Sequence, residues 1–512
     1  MPEPKSWDDR ATGETLAAQS VRSGAWLLAR RASSNVIRLA ALAVLSRHVS
    51  PSEFGLVAFA QVLLQFMTLG GETGVGVYVI QDRETDWKRR ANQAFWLNLV
   101  FTAILLTVSM VAVRPVARWL GQADTVAILA GLGFAFFVRQ LSTVPDALVR
   151  RNLDFRSLVI RDTISDLLTS TASVGLALSG WGVWSLVFPV MLSEPIRLAM
   201  IVKISRWRPS RPTGFDSWRT ISRFSWHSAV AQVLTLITND TDTLLIGRFF
   251  GAAALGTYNM AWQLSNIVGR NLSTAVTSVS TSSLSVLKDS VPRLRAAYVR
   301  TLSLLASLGF PVLVVMFVCA DDLIATVYGP KWQASVPFLR WFIVFALVRI
   351  ISSPAGALCS VMSRPDLNSR FAAGFVPFYL AAIAVGSRQG LLGVCIAVVC
   401  VRSVGAVVWL YWSGRLIGLT GGGIVESLRR PLLSSLIVAV SGGFLVTLIR
   451  PLSAVPAVRL LLTGVLLLPV YLLAILVVDR RGARELADAL KSLLPSRNPR
   501  RARAAATFAR TS

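Results

Sequence analysis

The chain has 512 residues, 54% of them apolar and only 15% charged, with a mean hydropathy of +0.60; soluble domains carry nearer a quarter charged residues, so the membrane is the expected solvent for most of it. The net charge of +26, from 52 Lys and Arg against 26 Asp and Glu, sits in short loops between apolar runs, which argues against a nucleic-acid binder and for a positive-inside membrane protein. The cysteines (Cys319, Cys359, Cys395, Cys400) and histidines (His48, His227) fall in no metal-ligand spacing, so neither a metal nor a cofactor is expected.

Residues 1–22 are polar and mixed in charge, unlike a cleavable signal peptide, and read as a cytoplasmic tail. Apolar runs then predict transmembrane helices near 25–46, 54–79, 92–113, 125–147, 158–179 and 182–203, which form an N-terminal six-helix bundle over 23–205. After a cytoplasmic linker at 206–222, a second six-helix bundle over 223–414 is expected from runs near 224–247, 254–283, 298–320, 335–360, 371–387 and 391–412. Two further helices near 432–449 and 459–478 lie within 430–478, and a basic cytoplasmic tail closes the chain at 479–512. The fold class is thus all-α integral membrane, with about fourteen transmembrane helices.

Alternate loops differ in cation content as a serpentine topology requires. Loops carrying Arg83, Lys88, Arg89 and Arg90, then Arg150, Arg151 and Arg156, then Lys203, Arg206, Arg208, Arg211 and Arg219 alternate with loops holding at most two cations, and none in Ser179 to Ser185. The bias is roughly threefold and places both termini in the cytoplasm. No loop is long enough for a catalytic domain, so no catalytic residue is assigned and no enzyme activity is expected.

An internal repeat is visible. In LSRHVSPSEFGLVAFAQVL (Leu45 to Leu63) and IGRFFGAAALGTYNMAWQL (Ile246 to Leu264), Arg47 matches Arg248, Gly55 matches Gly256 and Ala60 matches Ala261, at a constant offset of 201 residues. GWGVW at Gly180, which opens the sixth helix, and GLLGV at Gly390, which opens the twelfth, are a further echo. An even number of helices separates the repeats, so the two bundles should share one orientation with a cavity between them, the usual architecture of alternating access.

Charged groups at bilayer depth cost roughly 2.5–3.5 kcal/mol each on insertion scales, so they should face water or a partner. Arg31, Asn35 and Arg38 share one face of the first helix, and Gln61, Gln65, Thr68 and Glu72 one face of the second. Asn239 and Asp242 lie on the seventh helix, Asn266 and Arg270 on the eighth, and Arg139, Arg349 and Arg402 within the fourth, tenth and twelfth. Arg31, Asn35, Arg38, Gln65, Arg139, Asn239, Asn266, Arg270, Arg349 and Arg402 form the expected substrate-binding set. Arginine on several helices points to an anionic ligand such as phosphate. Glu72 and Asp242 are the ion-coupling candidates, because an intramembrane carboxyl can change charge with its surroundings. The plainer alternative is cross-helix pairing that only holds the bundle together, strongest for Asp162, Glu194 and Arg197.

The segments SRHVSPSEFGLVAFA, GETGVGVYVIQ, VPDALVRRNLDFR, GWGVWSLV and NDTDTLLIGRFFGAAALGTYNMAWQL resemble the Wzx-type polysaccharide flippases of the multidrug/oligosaccharidyl-lipid/polysaccharide exporter superfamily, especially their colanic-acid and succinoglycan exporter-like branch. The resemblance implies a bacterial inner-membrane flippase that moves undecaprenyl-pyrophosphate-linked oligosaccharide toward the periplasm for exopolysaccharide or surface-polysaccharide assembly. Its implied partners are the lipid-linked oligosaccharide, the bilayer, and polysaccharide polymerase and co-polymerase proteins. The competing readings are a drug or cation antiporter, which would favour carboxylates over arginine, and a cell-wall lipid precursor flippase of the same superfamily.

Overall fold

Proline and glycine decide where the long apolar runs bend. The computed structural model describes residues 34–67, 75–81, 86–120, 125–152, 154–211, 218–364 and 366–478, and among these every regular element is helical. Helix α1 spans 34–48; α2 is Pro51–Met67, α3 Gly76–Gln81, α4 Trp87–Leu120, α5 Thr125–Leu141, α6 Thr143–Arg151, α7 Phe155–Leu178 and α8 Trp184–Ser205. Helix α9, Trp218–Val286, turns sharply at Gly251, whose φ of 83° gives it two limbs. Then come α10 (Val291–Val318), α11 (Ala320–Val327), α12 (Val336–Ser352), α13 (Pro354–Val361), α14 (Asp366–Gly386), α15 (Gly390–Arg415), α16 (Gly421–Ile449) and α17 (Pro456–Val478).

Eight described stretches are long and apolar enough to cross a membrane. The run expected at 125–147 is broken between α5 and α6, and that at 335–360 between α12 and α13. Pro145 and Pro354 cause both breaks, since proline lacks the N–H that would bond four residues back. The Ile350 carbonyl, which Pro354 leaves without a donor, accepts from the Ser353 hydroxyl at 2.8 Å, and beside the other break the Gln140 carbonyl accepts from Asn98 Nδ2 at 3.0 Å. Helix α16 starts well before the expected 432, where the Thr420 hydroxyl accepts from the Gly423 N–H at 3.3 Å.

The repeat is visible in the backbone. Gly180 and Gly390, the glycines of the matching GWGVW and GLLGV motifs, adopt φ of 79° and 81°, a region that only glycine enters without strain. The breaks after α5 and α12 carry matching sequences as well, VRQLST (Val138 to Thr143) and VRIISS (Val348 to Ser353).

The described chain packs as two units. The first comprises the chain up to Gln263 with Val327–Phe338 and Ser369–Val401. In it α2, α5 and α8 enclose Val57, Ala60, Leu64, Ile128, Leu129, Leu132, Phe136 and Val187. Here α2 crosses the second limb of α9 at the repeat-related glycines: a Cβ on Gly55 would overlap the Ala252 carbonyl, and a Cβ on Gly256 would overlap that of Pro51. Pro51 stands to Gly55 as Ala252 stands to Gly256, so the contact is reciprocal, as around a local two-fold axis. The carbonyls at the C-terminal end of α1 are closed by the short 3-10 helix Pro330–Ser335: Lys331 Nζ reaches the Val49 carbonyl at 2.8 Å and the Trp332 indole donates to that of Ser46 at 2.8 Å.

The second unit comprises Leu264–Thr326, Leu339–Asn368 and the chain from Arg402 onward. Its core gathers Tyr298, Leu302, Ala306, Phe310, Leu358, Leu410, Ile417 and Leu428. Helix α17 is fastened to it by Arg459, which reaches Asp322 at 2.9 Å, and by Tyr471, which donates to the Ser307 carbonyl. The outer faces of α16 and α17 expose Val440, Phe444, Leu461, Val465 and Leu468, the surface a helix offers to acyl chains.

Candidate functional site: guanidinium groups beside two helix breaks

In the second unit, Arg349 occupies the last turn of α12, just ahead of the Pro354 break. Its Nη1 donates to Oδ1 of Asn266 on α9, and its guanidinium carbon lies 5.6 Å from the Phe345 ring centroid. Arg402 on α15, only 7% exposed, lies 6.0 Å from the same ring. Gly269, one turn beyond Asn266, leaves room for this: a Cβ there would stand 2.7 Å from Arg349 Nη2. The face of one phenyl ring offers each cation about 0.5–2 kcal/mol. Two planar donor forks over one apolar floor suit an oxyanion with several acceptors, which phosphate is.

In the first unit, Arg139 stands at the matching place, in the last turn of α5 ahead of the Pro145 break. Its environment differs. Nε lies 3.9 Å from Oε1 of Glu194 on α8, with the arginine side chain 47% exposed and the glutamate 9%. The repeat has thus kept the guanidinium and changed what faces it, from an amide in one half to a carboxylate in the other.

A cluster in which the sequence pointed to Asp162 and Arg197 but not to Asp146 or Arg161 sits beside this pair. Arg161 on α7 is fully buried and donates to Asp146 of α6 and, at 2.7 Å, to Asp162, which also meets Arg197 of α8 at 3.1 Å. Arg161 and Arg197 pair there with Asp146 and Asp162 across α6, α7 and α8, with Arg150 reaching Asp146 as well at 3.3 Å, and pairing is the condition under which charge survives burial. Asp162 and Arg197 therefore take the pairing role considered for them. The available signal was the Asp in VPDALVRRNLDFR preceding the adjacent Arg161 and Asp162, but nothing in helical spacing links Asp146 to Arg161.

Among the other expected residues, Arg38 on α1, Gln65 on α2 and Asn239 on α9 stand exposed, and Asn35 is half-buried. Asp242 is 3% exposed and accepts from the Tyr258 hydroxyl at 2.6 Å and from the Thr243 N–H at 3.0 Å. Arg31, Glu72 and the side chain of Arg270 lie outside the described residues. Arg349, Asn266 and Arg402 are the three members of the expected set gathered here into one site.

An all-helical chain with broken apolar helices and guanidinium groups at those breaks is a multi-pass membrane protein of transporter architecture. Residues 44–337 match the family described as polysaccharide biosynthesis protein, and the chain belongs to that family. It is 25% identical over 501 residues to the succinoglycan biosynthesis transport protein ExoT of Rhizobium meliloti (strain 1021), covering 95% of this chain and 98% of that one. It is 22% identical over 372 residues to the lipopolysaccharide biosynthesis protein WzxC of Escherichia coli (strain K12), covering 72% and 75%. The fold is also that of a solved structure of the lipid II flippase MurJ in an inward closed conformation, with a TM-score of 0.74 at 13% identity over 88% of this chain and 97% of that one.

Proposed function

We propose that this protein moves an undecaprenyl-pyrophosphate-linked oligosaccharide across the bacterial inner membrane by alternating access, making and breaking no covalent bond. The observation that carries the reading is the convergence of Arg349 and Arg402 on Phe345, within about 6 Å of one ring, beside a break in a membrane-spanning helix. A pyrophosphate diester offers the fork-matching oxygens these groups need. Asn266 orients one fork, and the family membership and the transport relatives support polysaccharide assembly as the context. The full topology in this reading has about fourteen spans with both termini cytoplasmic, and the polymerase and co-polymerase proteins of the same assembly line receive the exported units.

The test is leaflet transfer in proteoliposomes. Purified protein should accelerate exposure of a fluorescent polyprenyl-diphospho-oligosaccharide on the far leaflet, and Arg349→Ala and Arg402→Ala should each slow that transfer at least tenfold while the protein remains monodisperse. Undiminished transfer in both variants would overturn the reading. Efflux of an organic cation without lipid transfer would instead establish the antiporter.

A further inference from the structure

A group of cations in the first unit gathers where α4 begins, and the proposed transport site uses none of them. Lys88, Arg89 and Arg90 occupy the first turn of α4, which holds no acidic residue; Asp86, exposed just ahead, carries an opposing charge. The helix macrodipole favours anions at that end, so these cations oppose local helix stability rather than serve it. Arg151 of α6 sets its guanidinium carbon 5.4 Å from the Trp87 ring centroid, with Lys88 Nζ 5.8 Å from the same ring. The connection that leaves α8 is tied to the same place. Arg206 ends α8 in the left-handed region, at a φ of 53°, an uncommon conformation for arginine, and the chain then runs beside α4. There buried Asn92 holds it by both ends of its amide: Oδ1 accepts from the Ser210 N–H at 2.9 Å and Nδ2 donates to the Arg211 carbonyl at 2.9 Å. The Trp96 indole donates to the Ser210 carbonyl at 2.8 Å, and Trp207 packs edge-on against Phe95 with ring centroids 5.7 Å apart. These bonds hold exposed Arg208 and Arg211 beside the first turns of α4.

Trp87, Trp96 and Trp207 are half-buried at this level, the position an indole takes at the boundary between headgroups and acyl chains. Further along, α4 turns Val100, Ile104 and Val111 outward on the face that Arg89 and Trp96 share. Cations at headgroup depth ahead of an apolar stripe match an anionic phospholipid; a soluble acidic protein would leave the stripe uncovered. We propose that the first turns of α4 and the strap at 206–211 form a binding site for an anionic phospholipid of the bilayer, with its phosphodiester held by Lys88, Arg208 and Arg211 and one acyl chain lying along Val100 and Ile104. The phosphodiester offers free oxygens that guanidinium forks match, and Lys88 adds a point charge. Asn92 is a positioning residue: it is buried, and it holds the strap that carries the two arginines. The site is separate from the proposed transport site and stands whatever the protein transports.

The test uses the full chain with Cys400→Ser and Val100→Cys, labelled with bimane at the introduced thiol while Cys319, Cys359 and Cys395 stay buried. The protein is placed in phosphatidylcholine nanodiscs that hold a small fixed fraction of either dibromo-phosphatidylglycerol or dibromo-phosphatidylcholine. Bromine quenches on contact, so the ratio of the two quenching levels reads lipid preference at α4. That ratio should favour the glycerol lipid about fivefold. A second label, at Val465→Cys on α17, lies thirteen residues from its helix end as Val100 does from the start of α4, and there the two lipids should quench equally. Arg208→Gln/Arg211→Gln should bring the Val100 ratio down to the Val465 level, and Asn92→Leu, which keeps every cation, should lower it about as far. Arg208 and Arg211 are exposed, so their double variant stays folded even where Asn92→Leu does not. Equal quenching by the two lipids at Val100, the same preference at Val465, or a preference that survives loss of the arginine pair would overturn the site. Full preference in Asn92→Leu would overturn the positioning role.

Discussion

The reciprocal crossing of α2 and α9 can be tested with single carbon atoms. Alanine at Gly55 places its Cβ inside the Ala252 carbonyl, and alanine at Gly256 does the same to Pro51. The obstructing atoms are backbone, so no rotamer change relieves the overlap and the two helices must separate. Overpacking of this kind costs about 1–3 kcal/mol. Gly175, near the end of α7, is the internal control: nothing lies within 4 Å of its added Cβ, and alanine there should stabilise by about 0.5–1 kcal/mol through helix propensity alone. The assay is thermal unfolding in detergent followed with a thiol-reactive fluorophore. Cys319, Cys359 and Cys395 are buried and react only as the protein opens, while exposed Cys400 is first replaced by serine. For a chain of this length the expected fall in Tm is roughly 1–3 °C for Gly55→Ala, against no fall for Gly175→Ala. The Gly55→Ala/Gly256→Ala pair should lose less than the sum of the singles, because one separation relieves both clashes. Equal Tm values for Gly55→Ala and Gly175→Ala would refute the reciprocal close approach.

Three further outcomes are expected. Arg161→Leu leaves half-buried Asp146 and buried Asp162 without their shared cation and should cost about 3–5 kcal/mol; it should fail to give a monodisperse peak, and adding Asp146→Asn, which leaves the Asp162–Arg197 pair in place, should restore one. Trp332→Phe removes the indole donor to the Ser46 carbonyl but keeps an aromatic ring against Phe54, whose centroid lies 5.4 Å away; a loss of about 0.5–1.5 kcal/mol should appear in the same thermal assay. Arg349→Lys keeps the charge and loses the planar fork, so leaflet transfer should fall toward that of Arg349→Ala while the Tm holds; full transfer by the lysine variant would show that charge alone suffices.

How far these features were legible in the sequence follows from the range of the forces behind them. Each apolar run was readable because the bilayer acts on a segment by itself, so length and hydropathy locate the helix without reference to any neighbour. The proline-induced breaks after Leu141 and Ser352 were not drawn, although Pro145 and Pro354 are plain in the sequence. An apolar run continues through a break, and hydropathy does not register a missing hydrogen bond. Arg139, Arg349 and Arg402 were recognisable as intramembrane cations, yet their partners were not.

The sequence by itself determined that this is a many-helix membrane protein, that it carries a repeat with Gly55 matching Gly256, and that arginine is the dominant intramembrane charge. Only the tertiary structure decided that those two glycines touch, that Arg349 and Arg402 share Phe345, that Arg161 bridges Asp146 and Asp162, and that Glu194 faces Arg139. Insertion into the membrane is a property of one helix and its local composition. Contacts such as Arg349 with Asn266 or Glu194 with Arg139 join different helices far apart in the chain, and which side chains meet is set by how those helices pack.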